Sequence, residues 1–255
     1  MNYYCINLKS ATTRKCKISE QAQAASIDII FIEAIEGKSL DINAIASYNK
    51  FKRSRYMYDM EPNEIACTLS HRLALETFLN DPYPYCVVLE DDAIFPESID
   101  ADIANLLDSV KGFDLLKLES RDAKGYEIGQ VDGTRIMLPL KGGNGATGIL
   151  YTKSGARKLL ASLEDFYFPF DTHIGLSWGS RLLCAACWPS LIVEDKSSQS
   201  NIGGRTASKR KPGLYPWMLA RYERVVHSLM KRIHCLVIKH RKTIKTQNLI
   251  ACDPQ

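Results

Sequence analysis

The chain has 255 residues, 45% of them hydrophobic and 24% charged, and carries a net charge of +4. Those proportions belong to an ordinary globular protein with enough chain for one or two cores. No stretch approaches the roughly 18 consecutive apolar residues of a membrane span, which excludes a helix that crosses a bilayer.

The opening MNYYCINLKS has no basic segment followed by an apolar run and a small-residue cleavage site. It reads as a first strand and not a signal peptide, so a cytosolic chain is expected. Residues 3–8 form a short buried strand, Ser10 or Thr12 can cap a helix over roughly 12–25, and IDIIFIEA at 27–34 is the next strand. Such a strand–helix–strand unit closes as a right-handed parallel crossover. Residues 41–60 show no clear period and are expected to leave the sheet as an ordered excursion over a site. Pro62 and Asn63 precede an apolar-periodic helix near 64–79. PYCVVLEDD, at 84–92, is a continuous apolar run that stops abruptly in three acids, as a buried strand does at the edge of a sheet. A helix near 98–110 follows, then strands at 113–119, 134–140 and 147–152, and a helix capped by Ser154. Short strands at 182–187 and 191–194 lead into the polar DKSSQSNIGGR. Alternating strands and helices predict an α/β fold with a mostly parallel central sheet flanked by helices. Ligands then sit beyond the carboxyl ends of the strands, where the acids after Leu89 lie.

Eight cysteines raise the question of disulfides. Cys5 and Cys86 fall in strand-like runs and Cys67 in a helical pattern, where free cysteine acts as a small buried hydrophobe. Cys184 and Cys187 form the sole CxxC, without a second pair at zinc-ribbon spacing, and are read as structural, with a redox or metal role as the alternative.

The chemistry centres on Glu90, Asp91 and Asp92. Mg²⁺ and Mn²⁺ take carboxylate oxygens, typically one or two from protein with phosphates and water completing the shell. Glu90 and Asp92 have D-x-D spacing, which puts both carboxylates on one side of an extended backbone. Asp92 is the expected direct ligand, Glu90 binds the ion through water or contacts a ribose, and Asp91 points away. A solvated acidic turn is the plain alternative. GGNGATG, at 142–148, is not a phosphate-binding fingerprint; its glycines let backbone approach a donor sugar.

Four segments resemble glycosyltransferase family 25, which includes bacterial lipooligosaccharide galactosyltransferases. They are INLKSATTRK, EIACTLSHRLAL, VVLEDDAIF, and GATGILYTKSGARKLL followed by PFD, in the family's order over roughly residues 3–200. The resemblance implies a GT-A-like fold, a UDP-galactose or related donor with Mn²⁺ or Mg²⁺, inversion at the anomeric carbon, and a glycolipid oligosaccharide acceptor. Carried over by position, Asn7 and Arg14 meet the nucleotide, although Arg14 also fits a surface arginine. Glu64, Ser70 and His71 lie in the EIACTLSH segment, and His71 contacts donor phosphate or metal unless it is structural. Inversion needs a base that takes a proton from the acceptor hydroxyl. Asp171 is the candidate, with a helix N-cap as its alternative role, and Glu119 is the rival base or an acceptor-binding group. Gln199, Ser200 and Asn201 would supply late donor contacts, with Asn201 standing where the family carries an acid.

From Arg205 to Lys245, twelve Lys and Arg face one acid, Glu223, so a local charge of +11 sits on an otherwise acidic chain. Residues 205–255 are therefore set apart as a basic, partly helical tail beyond a catalytic domain at 1–204. Leu219, Tyr222, Val226, Leu229, Met230, Ile233, Leu236 and Val237 form an apolar stripe, opposite Arg221, Arg224, Lys231, Arg232, Lys239 and Lys242. A basic amphipathic helix reads as an anionic membrane-surface element, placing the enzyme on the inner face of a bacterial inner membrane. Packing of the stripe on the domain is the alternative. No nucleic-acid partner is expected, since no recognisable module is present. A non-catalytic carbohydrate- or nucleotide-binding module on a transferase fold is the competing reading of the whole. A metal-dependent phosphohydrolase is disfavoured by the lack of a second acidic cluster.

Overall fold

The computed structural model describes residues 1–54, 59–120, 124–140, 145–196 and the helix at 214–250, with side chains of that helix at 218 and 220–241. The expected opening unit is present: β1 (Asn2–Asn7), α1 (Thr12–Ala24) and β2 (Ile29–Glu33), the two strands parallel. Two 3-10 turns (Gly37–Ser39, Ile42–Ala44) and α2 (Lys50–Ser54) form the excursion from the sheet. Then come α3 (Pro62–Asn80), β3 (Tyr85–Glu90), β4 (Ala93–Ile94), α4 (Ile99–Ser109) and β5 (Leu115–Lys117). The hairpin β6 (Gly125–Val131) and β7 (Thr134–Pro139) follows, then β8 (Gly148–Thr152) and α5 (Lys153–Ser162). The chain continues through α6 (Phe170–Gly175), α7 (Ser177–Ser180), β9 (Cys184–Trp188), β10 (Val193–Glu194) and α8 (Leu214–Ile250).

Eight strands form one mixed sheet in the order β2-β1-β3-β8-β5-β9-β7-β6. β8 and β7 run against the other strands, which share one direction. The parallel block expected from the sequence therefore exists, interrupted by two antiparallel strands. Alternation along β1 feeds two cores: Tyr4 and Ile6 pack under α3 and α5, while Tyr3 and Cys5 pack with Ile18 and Ile103 on the other face. β3 is buried on both faces at Cys86, Val87, Val88 and Leu89, which is why it reads as a continuous apolar run.

Three helix starts differ from expectation. The N-cap of α1 is Ala11, with no side-chain bond, so neither Ser10 nor Thr12 caps it. α3 begins at Pro62 with Glu61 as N-cap, because proline suits the first helical position. α5 is capped by Thr152, whose hydroxyl accepts the Gly155 N–H at 2.9 Å, and not by Ser154. β6 was not expected; it pairs with β7 through Asp132 and Gly133, both at positive φ. Cys184 and Cys187 fall in the two opposite cores, so they cannot reach each other, and the described cysteines are free.

α8 packs against α7 and β6. Its inward face is not the apolar stripe: Ala220, Lys231 and Cys235 are buried, and the His234 ring nitrogen Nε2 lies 3.2 Å from the Leu182 carbonyl. Tyr222, Leu229, Ile233 and Leu236 instead face outward, 67%, 56%, 45% and 48% exposed. Packing of the stripe on the domain is thereby ruled out for these residues. At 100° per residue, the exposed Arg221, Arg232 and Lys239 flank the stripe. No helix among the described residues is long and apolar enough to cross a membrane. The boundary expected at residues 204–205 lies outside the described residues.

Candidate functional site

A cavity of about 380 Å³ opens at the carboxyl ends of β1, β2 and β3, the size of an ordinary small-ligand site. One wall is the loop after β2, with Ile35, Gly37 and Lys38, and the facing wall is α3, with Ala66, Cys67, Ser70 and His71. Arg14 of α1 and the three acids Glu90, Asp91 and Asp92 complete the lining.

Ser70 fixes the two walls to each other. Its hydroxyl accepts the Ile35 N–H at 2.9 Å and donates to the Ala66 carbonyl at 2.8 Å. Gly37 closes the same junction: a Cβ there would lie 2.2 Å from Asn63 Oδ1 and 2.7 Å from the backbone of Pro62 and Asn63. Backbone cannot yield as a side-chain tip does. Gly37→Ala is therefore expected to cost about 1–3 kcal/mol in a thermal or urea melt, and an unchanged midpoint would contradict this packing.

Glu90 is the last residue of β3 and the chain turns at once, so strand alternation ends there and all three carboxylates line the cavity. Asp91 does not point away as expected. It accepts from Arg14 Nη1 at 2.8 Å and from Asn7 Nδ2 at 2.9 Å, so its charge is used to hold α1 to β1. Asp92 is different. Its Oδ1 is buried without a hydrogen-bond partner among the described residues, and Arg14 stands 3.9 Å from Oδ2. Burial and then the neighbouring Glu90 push the Asp92 carboxyl up to about 7, against the pull of Arg14. A buried, under-compensated carboxylate beside a second one is a set that a divalent cation fits.

His71 is 1% exposed, stacks on Phe170 with ring centroids 3.9 Å apart, and places Nε2 3.2 Å from Glu90 Oε1. Cys67, one helical turn earlier, has its sulfur 4.0 Å from the same oxygen. Burial first, then Glu90 and Asp171, hold the Cys67 thiol well above its ordinary range. Glu64 lies outside the cavity lining and accepts the Glu61 N–H at 3.0 Å as part of the α3 capping box.

The two candidate bases meet at Gly145, which has φ of 101°. Its N–H donates to Asp171 Oδ2 at 3.4 Å, and a Cβ on it would sit 2.4 Å from Glu119 Oε2. Asp171 is not the N-cap of α6, which is Pro169; its Oδ1 accepts from the Thr172 N–H at 2.6 Å and the Thr172 hydroxyl at 3.2 Å. Glu119 is 4% exposed. Neither acid lines the 380 Å³ cavity, although Asp171 lies near enough to raise the thiol of Cys67, which does. Residues 142–144 of the glycine segment and Gln199, Ser200 and Asn201 lie outside the described residues. Cys67, expected from the sequence to be a small buried hydrophobe, is instead a half-buried cavity residue, for which the four-residue step to His71 was the available signal; Gly37 is a cavity residue that sequence reasoning passed over.

A model of glycosyltransferase family 25 (LPS biosynthesis protein) matches residues 1–174. A glycosyltransferase 25 family member of Anopheles gambiae is 25% identical over 195 residues, covering 70% of this chain and 33% of that protein. One of Aedes aegypti is 26% identical over 192 residues, covering 69% and 32%. The chain thus spans about a third of the length of the curated relatives it matches. A crystal structure of galactosyltransferase LgtC with donor and acceptor sugar analogues overlaps 73% of each chain at 14% identity and a TM-score of 0.39, too loosely to place a residue. The large mixed sheet flanked by helices is the α/β arrangement expected from the sequence. With more than half of its length matched by the family model, the chain belongs to glycosyltransferase family 25.

Proposed function

We propose that the chain transfers a hexose, galactose first among the candidates, from a UDP-sugar to a glycolipid oligosaccharide, with inversion. The observation that carries this reading is the Asp92 carboxylate, with Oδ1 buried and without a hydrogen-bond partner among the described residues, beside Glu90 in a cavity at the carboxyl ends of three parallel strands. Asp92 and Glu90 would hold Mn²⁺ or Mg²⁺, with Mn²⁺ ahead. When bound, the ion supplies positive charge to the departing diphosphate. Asp91 holds Arg14 close to Asp92, so a cationic side chain borders the same diphosphate position. Asp171 takes the proton of the acceptor hydroxyl, and the Gly145 and Thr172 N–H groups fix its two oxygens. Glu119 fits an acceptor-binding role. The family's description as LPS biosynthesis proteins supports a lipid-linked acceptor.

The same acceptor accounts for the outward stripe of α8, which we assign to an anionic lipid surface because basic side chains flank it. Flotation with vesicles of phosphatidylglycerol and phosphatidylcholine is expected to carry the chain, and phosphatidylcholine alone to carry it poorly. Leu229→Glu with Ile233→Glu should weaken binding about a hundredfold. Equal binding by that variant, or by neutral vesicles, would contradict the assignment.

The transferase reading is tested by UDP release from a panel of UDP-sugars, with and without glycolipid acceptor. Acceptor-dependent release that stops on chelation with EDTA is expected. Release from no donor across the panel would leave a binding module as the better account.

A further inference from the structure

The ligand atoms of Cys67, His71 and Glu90 lie within 4.8 Å of one another, and no other group of this kind occurs among the described residues. They come from two rigid elements. Cys67 and His71 share one face of α3 at a four-residue step, and Glu90 ends β3 opposite them. Three ligands of a tetrahedral ion bonded at about 2.0–2.3 Å stand roughly 3.3–3.8 Å apart. The His71–Glu90 separation of 3.2 Å meets that spacing, and the Cys67–Glu90 separation of 4.0 Å nearly does. The His71 ring is held flat against Phe170, and its Nδ1 is buried without a partner among the described residues. All three residues border the cavity, so a fourth coordination position faces open space.

We propose that Cys67, His71 and Glu90 form a site for a thiophilic divalent ion of the zinc class. A sulfur, nitrogen and oxygen set selects zinc or cobalt over Mg²⁺, which prefers oxygen alone. Binding releases the Cys67 thiol proton to solvent as the sulfur–metal bond forms. The site shares Glu90 with the pair assigned to the donor cation. On the transferase reading, zinc therefore opposes the donor cation and inhibits transfer.

The test uses the full chain, stripped of metal and reduced, titrated with Co²⁺ in the absence of any donor. One Co²⁺ per chain with an intense thiolate-to-cobalt charge-transfer band is expected, displaced by Zn²⁺. Cys67→Ser should abolish the band, His71→Ala should weaken Co²⁺ binding about tenfold or more, and Cys16→Ser, at an exposed position, should change nothing. X-ray absorption at the zinc edge of the wild-type protein should show one sulfur among nitrogen and oxygen ligands, a readout that needs no variant. A sulfur-free zinc shell, or a charge-transfer band that survives Cys67→Ser, would overturn the site. Mn²⁺-dependent UDP binding to the wild-type protein, measured separately and without zinc, reports the donor site by itself, so failure of the zinc site and failure of the donor site are told apart.

Discussion

Asp92→Asn is expected to reduce sugar transfer about a thousandfold, a change of about 4 kcal/mol in the barrier, while the ion-free protein remains folded. The amide keeps the shape of the side chain and removes the charge that would hold the cation. The stability effect has the opposite sign to the activity effect. The Asp92 carboxyl sits at about 7, above the ordinary value of 3.8, because burial and Glu90 disfavour its charge. A raised pKa means that the stability of the protonated form is lost as pH rises from about 4 through about 7. At pH 8 without metal, wild type bears that loss and Asp92→Asn does not, so the variant should melt at the same temperature or higher. Added Mn²⁺ should raise the wild-type midpoint and leave the variant unmoved. Near-normal turnover in Asp92→Asn would remove the ligand assignment, and a large drop in its melting temperature would contradict the electrostatic account.

Asp171→Asn is expected to lower kcat about 10²–10⁴-fold with donor binding retained, since its work lies in proton transfer and not in holding the nucleotide. Asparagine keeps Oδ1 as the acceptor of the Thr172 N–H, so the α6 start should survive, and it loses only the longer contact of the Gly145 N–H at Oδ2. Glu119→Gln is expected to lose far less, because that side chain is 4% exposed whereas Asp171 is partly open to solvent. UDP release measured with and without acceptor separates the two. Full activity in Asp171→Asn together with a dead Glu119→Gln would move the base to Glu119.

Much of this architecture was legible because burial leaves a period in the sequence. β1 and β3 are buried strands with continuous apolar runs, β2 is a half-exposed edge strand whose apolar run still marked it, and the abrupt stop of VVL in three acids placed the site at a strand end. β6 escaped notice because it is a half-exposed edge strand with glycines at 125 and 129, although the Asp132-Gly133 turn signalled a hairpin. The α5 cap was misplaced because Thr152 and Ser154 compete near its start and local spacing does not say which one bends, while α1 carries no side-chain cap for spacing to reveal. Inside the site, the fates of Asp91 and Asp92 diverged for a tertiary reason: Asn7 and Arg14 reach the first and leave one oxygen of the second bare. Gly37 and Ser70 likewise matter only once the β2 loop lies on α3. On α8 the stripe itself was legible, but its direction was not. Small Ala220 and Cys235 let the other face approach the body, so the larger apolar side chains turn outward.

The most direct measurement is a crystal structure of the chain soaked with UDP and Mn²⁺. The ion should bridge the diphosphate to Asp92 with Glu90 facing it, and Asp91 should remain on Arg14. A nucleotide lodged outside this cavity, or an ion bound with Asp92 turned away, would contradict the account.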